Sequence, residues 1–389
     1  MKRIILYLLA FAPLAAFADL PPTGFYRVQN VTTGSYMTIF DNRTSSTASD
    51  IATSGHADLE AIHMLDGFEE NIAFNPATIC YIEAYGAGKY NISGQGLDLH
   101  NMTGRLFSIK EVSSSYQIYA KEESSAVSVT KYLTHPTNRH GKEPYPGIDG
   151  SNKNWNILSV DQSSSQYFGI KPEVSAAGYH WATMYAGFPF MASSSDMKIY
   201  VVKQIDYEKG CAVIEEVTNV SAQTPVLFRC SSATPSVNKL TLLAPGSEGS
   251  KGTTHLVGNY YCNDVNDVGA LYPHRNVIAY DENTMRMLGV DADGKPAFVK
   301  GSADNLVVSV VDGKLYLPAN KAYLKVNSSA PDVLKIMTEA EYEAYVTGIE
   351  QITTSTTDGT KVIYDLQGRR VQAPSKGLYI VNGKKMIIR

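Results

Sequence analysis

Apolar and polar residues alternate in short runs along most of the chain, and the runs are separated by Gly, Asn, Ser and Asp. In "TGFYRVQNVTTGSYMTIFDN" (23–42) two such runs flank the turn Thr32-Thr33-Gly34, and "RLFSIKEVSSSYQIYAKE" (105–122) repeats the pattern around a serine turn. A period of two over runs this short is the mark of half-buried strands, so the pattern predicts a mainly β protein. Two stretches depart from it. In "SGHADLEAIHMLDGFEENIAFNP" (54–76), Leu59, Ile62, His63 and Phe68 fall near one helical face, which predicts a helix. "TEAEYEAYVTG" (338–348) pairs Thr338 with Glu341 as a capping box and stops at Gly348, which predicts a second, short helix.

A weak repeat organises the first half. Residues 153–173 parallel 105–122: an aromatic (Phe107, Trp155), an Ile two residues on (Ile109, Ile157), a Val three further (Val112, Val160), a serine turn and then a tyrosine (Tyr116, Tyr167). One hairpin cannot bury its own apolar face, so copies of this size gain stability by sharing a core, as the lobes of a β-trefoil do. Two unrelated hairpins would give the same pattern. From about residue 176 the turns change to "DADG" and "VDGK" between apolar strands, which reads as an antiparallel sandwich. The expected division is a leader at 1–18, a trefoil-like module at 19–175, a sandwich-like module at 176–337, a short helix and linker at 338–360, and a small C-terminal hairpin module at 361–389.

Charge and composition sharpen the picture. "MKRIILYLLAFAPLAAFA" opens with Lys2 and Arg3, continues apolar and ends on Ala16-Phe17-Ala18, a secretory leader with a cleavage site before Asp19. Its apolar run is short of the roughly 20 residues of a membrane span. The expected location is therefore the outer surface, the medium or the periplasm. Of the formal −4, the leader holds two positive charges, so the mature chain is −6. The tail at 361–389 has seven Lys and Arg against one Asp, which leaves −12 on the rest and argues against a nucleic-acid partner.

Four cysteines occur, Cys80, Cys211, Cys230 and Cys262, none in C-x-x-C spacing. Cys211 and Cys230 flank what reads as strand, turn, strand, so a disulfide between them is a candidate in an oxidising compartment. No G-x-S-x-G elbow or H-E-x-x-H helix is present. His135 and His140 lack a third ligand at metal-like spacing. "DADGK" (291–295) would place Ser302 where a calcium loop needs a bidentate Glu, and Asp264 with Asp267 read as an exposed polar loop. No metal or cofactor is expected. The loop "THPTNRHGKEPYPGIDGSNKNW" (134–155) is the candidate binding element: an aromatic face from Tyr145 or Trp155 against sugar C–H groups, with Asp149 and Asn152 for the hydroxyls. Trp155 also heads a strand, where it would be core.

Three resemblances follow from quoted residues. The 23–42 hairpin resembles the opening of ricin-B-like trefoils. Ala182–Tyr185, Tyr200–Val202, Thr224–Leu227 and Pro318–Leu324 resemble a module of secreted Bacteroidetes proteins, many of them uncharacterised. Tyr364, Asp365, Gly368, Arg369, Gly377, Tyr379 and the basic pair Lys384 and Lys385 resemble the C-terminal sorting domains read by type IX secretion machinery, in a shorter copy. That last resemblance implies targeting or surface retention, with the sorting machinery as a partner. The combined expectation is an exported, non-catalytic recognition protein for glycan or glycoprotein. A secreted glycosidase or protease, and a structural or adhesive surface component, remain the alternatives.

Overall fold

The computed structural model describes residues 21–39, 56–58, 62–100, 105–123, 128–135, 151–252, 255–259, 278–308, 313–347, 350–352, 363–381 and 384–388. The chain is mainly β, built from several sheets. The first sheet contains β1 (Gly24–Asn30), β2 (Tyr36–Ile39), β3 (His56–Asp58), β4 (Ile62–Leu65), β5 (Cys80–Ala84), β6 (Lys89–Gly94), β7 (Leu97–His100), β8 (Leu106–Val112), β9 (Ser115–Glu123), β10 (Ser128–Tyr132) and β11 (Trp155–Ser159). Six of them close on themselves. β1 pairs β5 at Phe25↔Tyr81, β5 pairs β6, β6 pairs β8 and β8 pairs β9. β9 pairs β11 at Tyr116↔Trp155, and β11 returns to β1 at Ile157↔Val28, every step antiparallel. Closure removes the open edges that a flat sheet of these strands would present. Alternate side chains of the ring, among them Val28, Ile82, Ile92, Ile109 and Ile118, fill its interior with Phe107 and Trp155.

The helix expected at 54–76 is not there. Two strands, β3 and β4, occupy part of it, followed by a single π turn at Phe68–Ile72 and a 3-10 turn at Pro76–Thr78. β4 pairs with β2 in the register Met37↔Met64, which buries both methionines against the ring. A long-range pairing of this kind overrides a weak helical propensity. Gly67 then turns the chain at φ 80. The repeat is also incomplete. β8 and β9 form its first hairpin, but after β11 the second copy leaves the ring, and Phe168–Gly169 pairs with another sheet.

That second body contains β12 (Phe168–Gly169), β13 (Val174–Ala176), β14 (Tyr179–Met184), β15 (Phe190–Ala192), β16 (Lys198–Asp206), β17 (Cys211–Val217), β18 (Asn219–Val220), β19 (Val226–Cys230) and β20 (Lys239–Leu242). It continues through β21 (Leu256–Asn259), β22 (Met285–Val290), β23 (Pro296–Val299), β24 (Val307–Val308), β25 (Leu315–Tyr316), β26 (Lys321–Lys325) and β27 (Val333–Thr338). Ten strands form one sheet in the order β13-β14-β19-β16-β17-β27-β23-β22-β26-β21, and β12-β20-β15-β18 form another. Runs such as "IYVV" and "VLF" are apolar without alternation because both faces of the ten-stranded sheet are covered. Ile199, Val201, Val226 and Phe228 meet Phe168, Phe190 and Leu240 of the four-stranded sheet. Tyr200, Val202 and Leu227 point the other way, to Leu288, Phe298, Leu324 and Leu334.

The Cys211–Cys230 disulfide is ruled out by this topology. β17 and β19 do not pair; β16 lies between them, with Asp206 beside Cys211 at one end and Lys198 beside Arg229 at the other. The two sulfurs therefore sit near opposite ends of a nine-residue strand, a separation of roughly 30 Å at strand rise. Both thiols, and that of Cys80, are free and buried. Burial pushes Cys80 and Cys230 up to about 12.

A buried arginine pins the segment that leads to the second body, and a chain of amides joins the two bodies. Arg27, fully buried, donates from Nε to Thr78 Oγ1 (3.2 Å), from Nη1 to the Gln166 carbonyl (2.8 Å) and from Nη2 to the Ile72 carbonyl (3.4 Å). Burial lowers its pKa to about 10, so it stays cationic at neutral pH. Gln95 accepts from Gly187 N at 2.9 Å and donates to Asn320, whose own amide donates to Asn75 at 3.2 Å. At Gly187 a Cβ would lie 2.2 Å from the Gln95 carbonyl carbon, so only glycine lets the two chains approach this closely.

The last unit begins with α1 (Glu339–Thr347), the second helix expected from sequence. Thr338 N and Oγ1 donate to Glu341 at 2.7 and 2.8 Å, which is the capping box. Beyond it, β28 (Glu350–Ile352), β29 (Ile363–Tyr364), β30 (Gly377–Val381) and β31 (Lys384–Ile388) form a sheet in the order β28-β31-β30-β29. β28 is a fourth strand, taken from the stretch read as linker, and it runs parallel to β31. The Tyr364-Asp365-x-x-Gly368-Arg369 motif is a turn. Asp365 accepts from the backbone of Gln367 and Arg369 and pairs with the Arg369 guanidinium at 2.7 Å, with Gly368 at φ 81. "DADGK" builds the same turn around Asp291 and Gly294. The hairpin turn that the Asn382-Gly383 pair predicts lies outside the described residues.

Candidate functional site

Of the four residues singled out in the 134–155 loop, Asn152 and Trp155 are among the described residues. Tyr145 and Asp149 lie outside the described residues. Trp155 is fully buried, and its indole Nε1 donates to the Leu133 carbonyl at 3.0 Å, so it is a core residue rather than a sugar platform. It points inward because residue 155 falls on the interior phase of β11, opposite Asn30 and Tyr116. Asn152 is a brace. Its φ is 62, its amide donates to the His135 carbonyl at 3.1 Å, and its own carbonyl accepts from Asn30 Nδ2 at 2.8 Å. His135 beside it is buried, with Nδ1 2.9 Å from Thr33 Oγ1 and no partner for Nε2. Burial lowers its pKa. The two ends of the loop are thus pinned to the 30–35 turn.

Aromatic and polar groups converge elsewhere on the same module. The β5–β6 turn places Tyr85 with about half its surface in solvent (48%). Tyr85 stands out because its backbone N–H closes the turn onto Lys89, which holds the ring above the sheet. The Arg105 guanidinium lies over that ring, 5.3 Å from its centroid, and Nη2 donates to the Tyr85 hydroxyl at 3.2 Å. Arg105 Nη1 is 3.6 Å from Asp98 Oδ2, and Asp98 Oδ1 accepts from Asn91 Nδ2 at 2.7 Å. Four residues, Asn91 on β6, Asp98 on β7, Tyr85 in the β5–β6 turn and Arg105 just ahead of β8, therefore form one chain of contacts: aromatic, guanidinium, carboxylate, amide. Register explains the meeting. Asn91 opposes Leu106 across β6–β8, and Ser93 opposes Asp98 across β6–β7.

The chemistry available is hydrogen bonding and aromatic contact. One face of Tyr85 is covered by Arg105 and the ring is otherwise open. A carboxylate has about four acceptor positions, of which Asp98 uses some on Asn91 and Arg105. Its side chain is one-third exposed, so further donors can reach it. Among the described residues no group of three or more His, Cys, Asp or Glu is arranged to hold a metal ion. No helix among the described residues is long and apolar enough to cross a membrane. Sequence reasoning passed over this site because Tyr85, Asp98 and Arg105 are spread over twenty residues. The available signal was local: a tyrosine directly before "GAGK", a turn where an aromatic has no core to enter.

No protein-family model and no curated protein matches the chain. Among solved structures, that of SeviL bound to asialo-GM1 saccharide is similar over 35% of this chain and 98% of its own, at 13% identity and a TM-score of 0.22.

Proposed function

We propose that the chain is an exported, non-catalytic recognition protein that binds glycan through Tyr85, Arg105, Asp98 and Asn91. The observation that carries this reading is the exposed tyrosine ring joined through Arg105 to a partly exposed carboxylate. A sugar ring presents apolar C–H patches on one face and hydroxyls at its rim. The open side of Tyr85 suits the first, while Asp98 accepts from and Arg105 donates to the second. The scaffold fits the same reading: a closed ring of six strands with flanking strand pairs is how a β-trefoil is built, and loops at its rim carry shallow sites. The body at 168–338 then serves as a sandwich-like partner module. The leader at 1–18 directs export, and the tail sheet acts as the contact for sorting machinery or surface retention, with Tyr364, Tyr379 and Lys385 on it.

The test is binding of the mature chain (19–389) to an immobilised glycan array, with Tyr85→Ala and Asp98→Asn alongside. Saturable binding that drops by about tenfold or more in both variants, at unchanged melting temperature, is the expected result. Binding that survives both substitutions places the site elsewhere, and no binding to any glycan refutes the reading.

A further inference from the structure

A concavity lies where the two bodies meet, and none of Tyr85, Asn91, Asp98 and Arg105 lines it. It measures about 230 Å³ and is walled by Phe74 and Asn75 from the first body and by Ile170, Lys171, Met184 and Asn320 from the second. The wall from the first body is fixed. Arg27 grips the carbonyl of Ile72 and the hydroxyl of Thr78 on either side of Phe74, and Asn75 caps the 3-10 turn through Ala77 N at 3.0 Å. The opposite wall is fixed by Asn320, held between Gln95 and Asn75. The floor is apolar and the rim is amide-rich, the composition expected of a small-molecule site at a module boundary.

Its charge is unbalanced. Two ammonium groups reach the rim. Lys321 is neutralised by Glu173 at 2.9 Å, and the same carboxylate oxygen also takes the backbone and hydroxyl of Thr183 at 2.6 and 3.1 Å. That oxygen, Oε1, thus serves Lys321 and Thr183 together. Lys171 makes no ion pair among the described residues; its Nζ sits 4.5 Å from the centroid of Phe74. The result is one uncompensated positive charge, oriented by an aromatic face, at the mouth of an apolar-floored cleft. A cation–π contact orients an ammonium without neutralising it, so an anion arriving at Lys171 gains a pairing and displaces no carboxylate.

We infer that this cleft binds a small organic monoanion, its carboxylate on Lys171 and its compact body against Ile170 and Met184, with the amides of Asn75 and Asn320 at the rim. The volume limits the body to about the size of one sugar ring or a short aliphatic chain. Because both bodies supply walls, the ligand also ties them together. Either a sugar acid or a short-chain acid has this chemistry, and the site is independent of glycan binding at Tyr85.

Titration calorimetry on the mature chain tests it, with glucuronate and N-acetylneuraminate as sugar acids, hexanoate as the aliphatic acid, and glucose and hexanol as neutral counterparts. The expected result is binding of at least one acid about tenfold tighter than its neutral counterpart, with a raised melting temperature. Which acid binds identifies the body. Lys171→Met keeps the stem packed on Phe74 and removes the charge; Ala319→Trp fills the cleft, which Ala319 lines. Both variants should retain the unliganded melting temperature and lose acid binding by about tenfold or more. Acids that bind no better than their neutral counterparts, or a Lys171→Met variant that binds acids as the parent does, overturn the inference. So does an absence of binding across the panel.

Discussion

Replacing Trp155 by Phe separates a core residue from a ligand residue in one experiment. The indole is fully buried in the ring interior, and its Nε1 is the donor to the Leu133 carbonyl at 3.0 Å. Phenylalanine keeps one ring and removes that donor. The orphaned carbonyl costs about 1–3 kcal/mol, and the volume lost from a packed interior adds about 1–2 kcal/mol, a fraction of the cost of truncating Trp to Ala. The expected destabilisation of the first body is therefore about 2–5 kcal/mol. The chain has two tryptophans, and Trp181 lies in the second body stacked on Tyr200, so the variant leaves fluorescence reporting that body alone. Urea unfolding followed by fluorescence and by far-ultraviolet dichroism should give separated transitions, with only the dichroism midpoint moving to lower urea. Glycan binding well below that midpoint should persist. Unchanged stability with binding abolished would refute the placement of Trp155 in the core.

Three further outcomes are expected. Gly187→Ala places a methyl group against the Gln95 backbone and should cost about 1–3 kcal/mol, seen as earlier loss of cooperativity between the two bodies by calorimetry; a melting profile identical to the parent's would contradict the close joint. Burial lowers the His135 pKa below its unfolded value, so the unfolded chain takes up this proton first as pH falls through about 6.5. The contribution of His135 is therefore complete above that pH and is lost as pH falls towards the folded pKa. His135→Gln should flatten the decline in stability between pH 7 and 5, and an unaltered slope would assign the acid sensitivity to other groups. With Cys211 and Cys230 at opposite ends of β16, both thiols should react with maleimide once the non-reduced protein is unfolded; protection of this pair until reductant is added would contradict the topology.

Local chemistry was legible in the sequence and long-range pairing was not. The Thr338–Glu341 cap and the turn at Asp291–Lys295 are decided within five residues, and the structure realises both from the residues that announced them. Alternation at 105–122 likewise became the β8–β9 hairpin. Errors arose wherever a partner distant in sequence made the decision. Residues 62–65 became a strand because β2 lay ready to pair with them. Cys211 and Cys230 were parted because β16 returns between the strands that carry them. Of the two readings open for Trp155, the core one holds, because ring closure through β9 and β1 fixes the phase of β11.

The same reasoning explains why the candidate sites had to come from the structure. A recognition surface on a closed ring of strands cannot be built from one segment, since neighbours in sequence alternate between interior and exterior. It is assembled from residues on or beside neighbouring strands, as Asn91, Asp98 and Arg105 are around β6. The inter-body cleft carries this further: Phe74 and Lys171 are nearly a hundred residues apart, and they meet only because the second half of the repeat leaves the ring at β12 and carries Ile170 and Lys171 back beside the 68–78 turns. The hydrogen bond from Gly169 N to the Ala73 carbonyl, at 3.0 Å, is the stitch that sets this return. The broken repeat and the cleft are therefore one structural event. Had the second hairpin been completed as the sequence repeat suggested, residues 170 and 171 would pair within the ring, and Lys171 would have no cleft to enter.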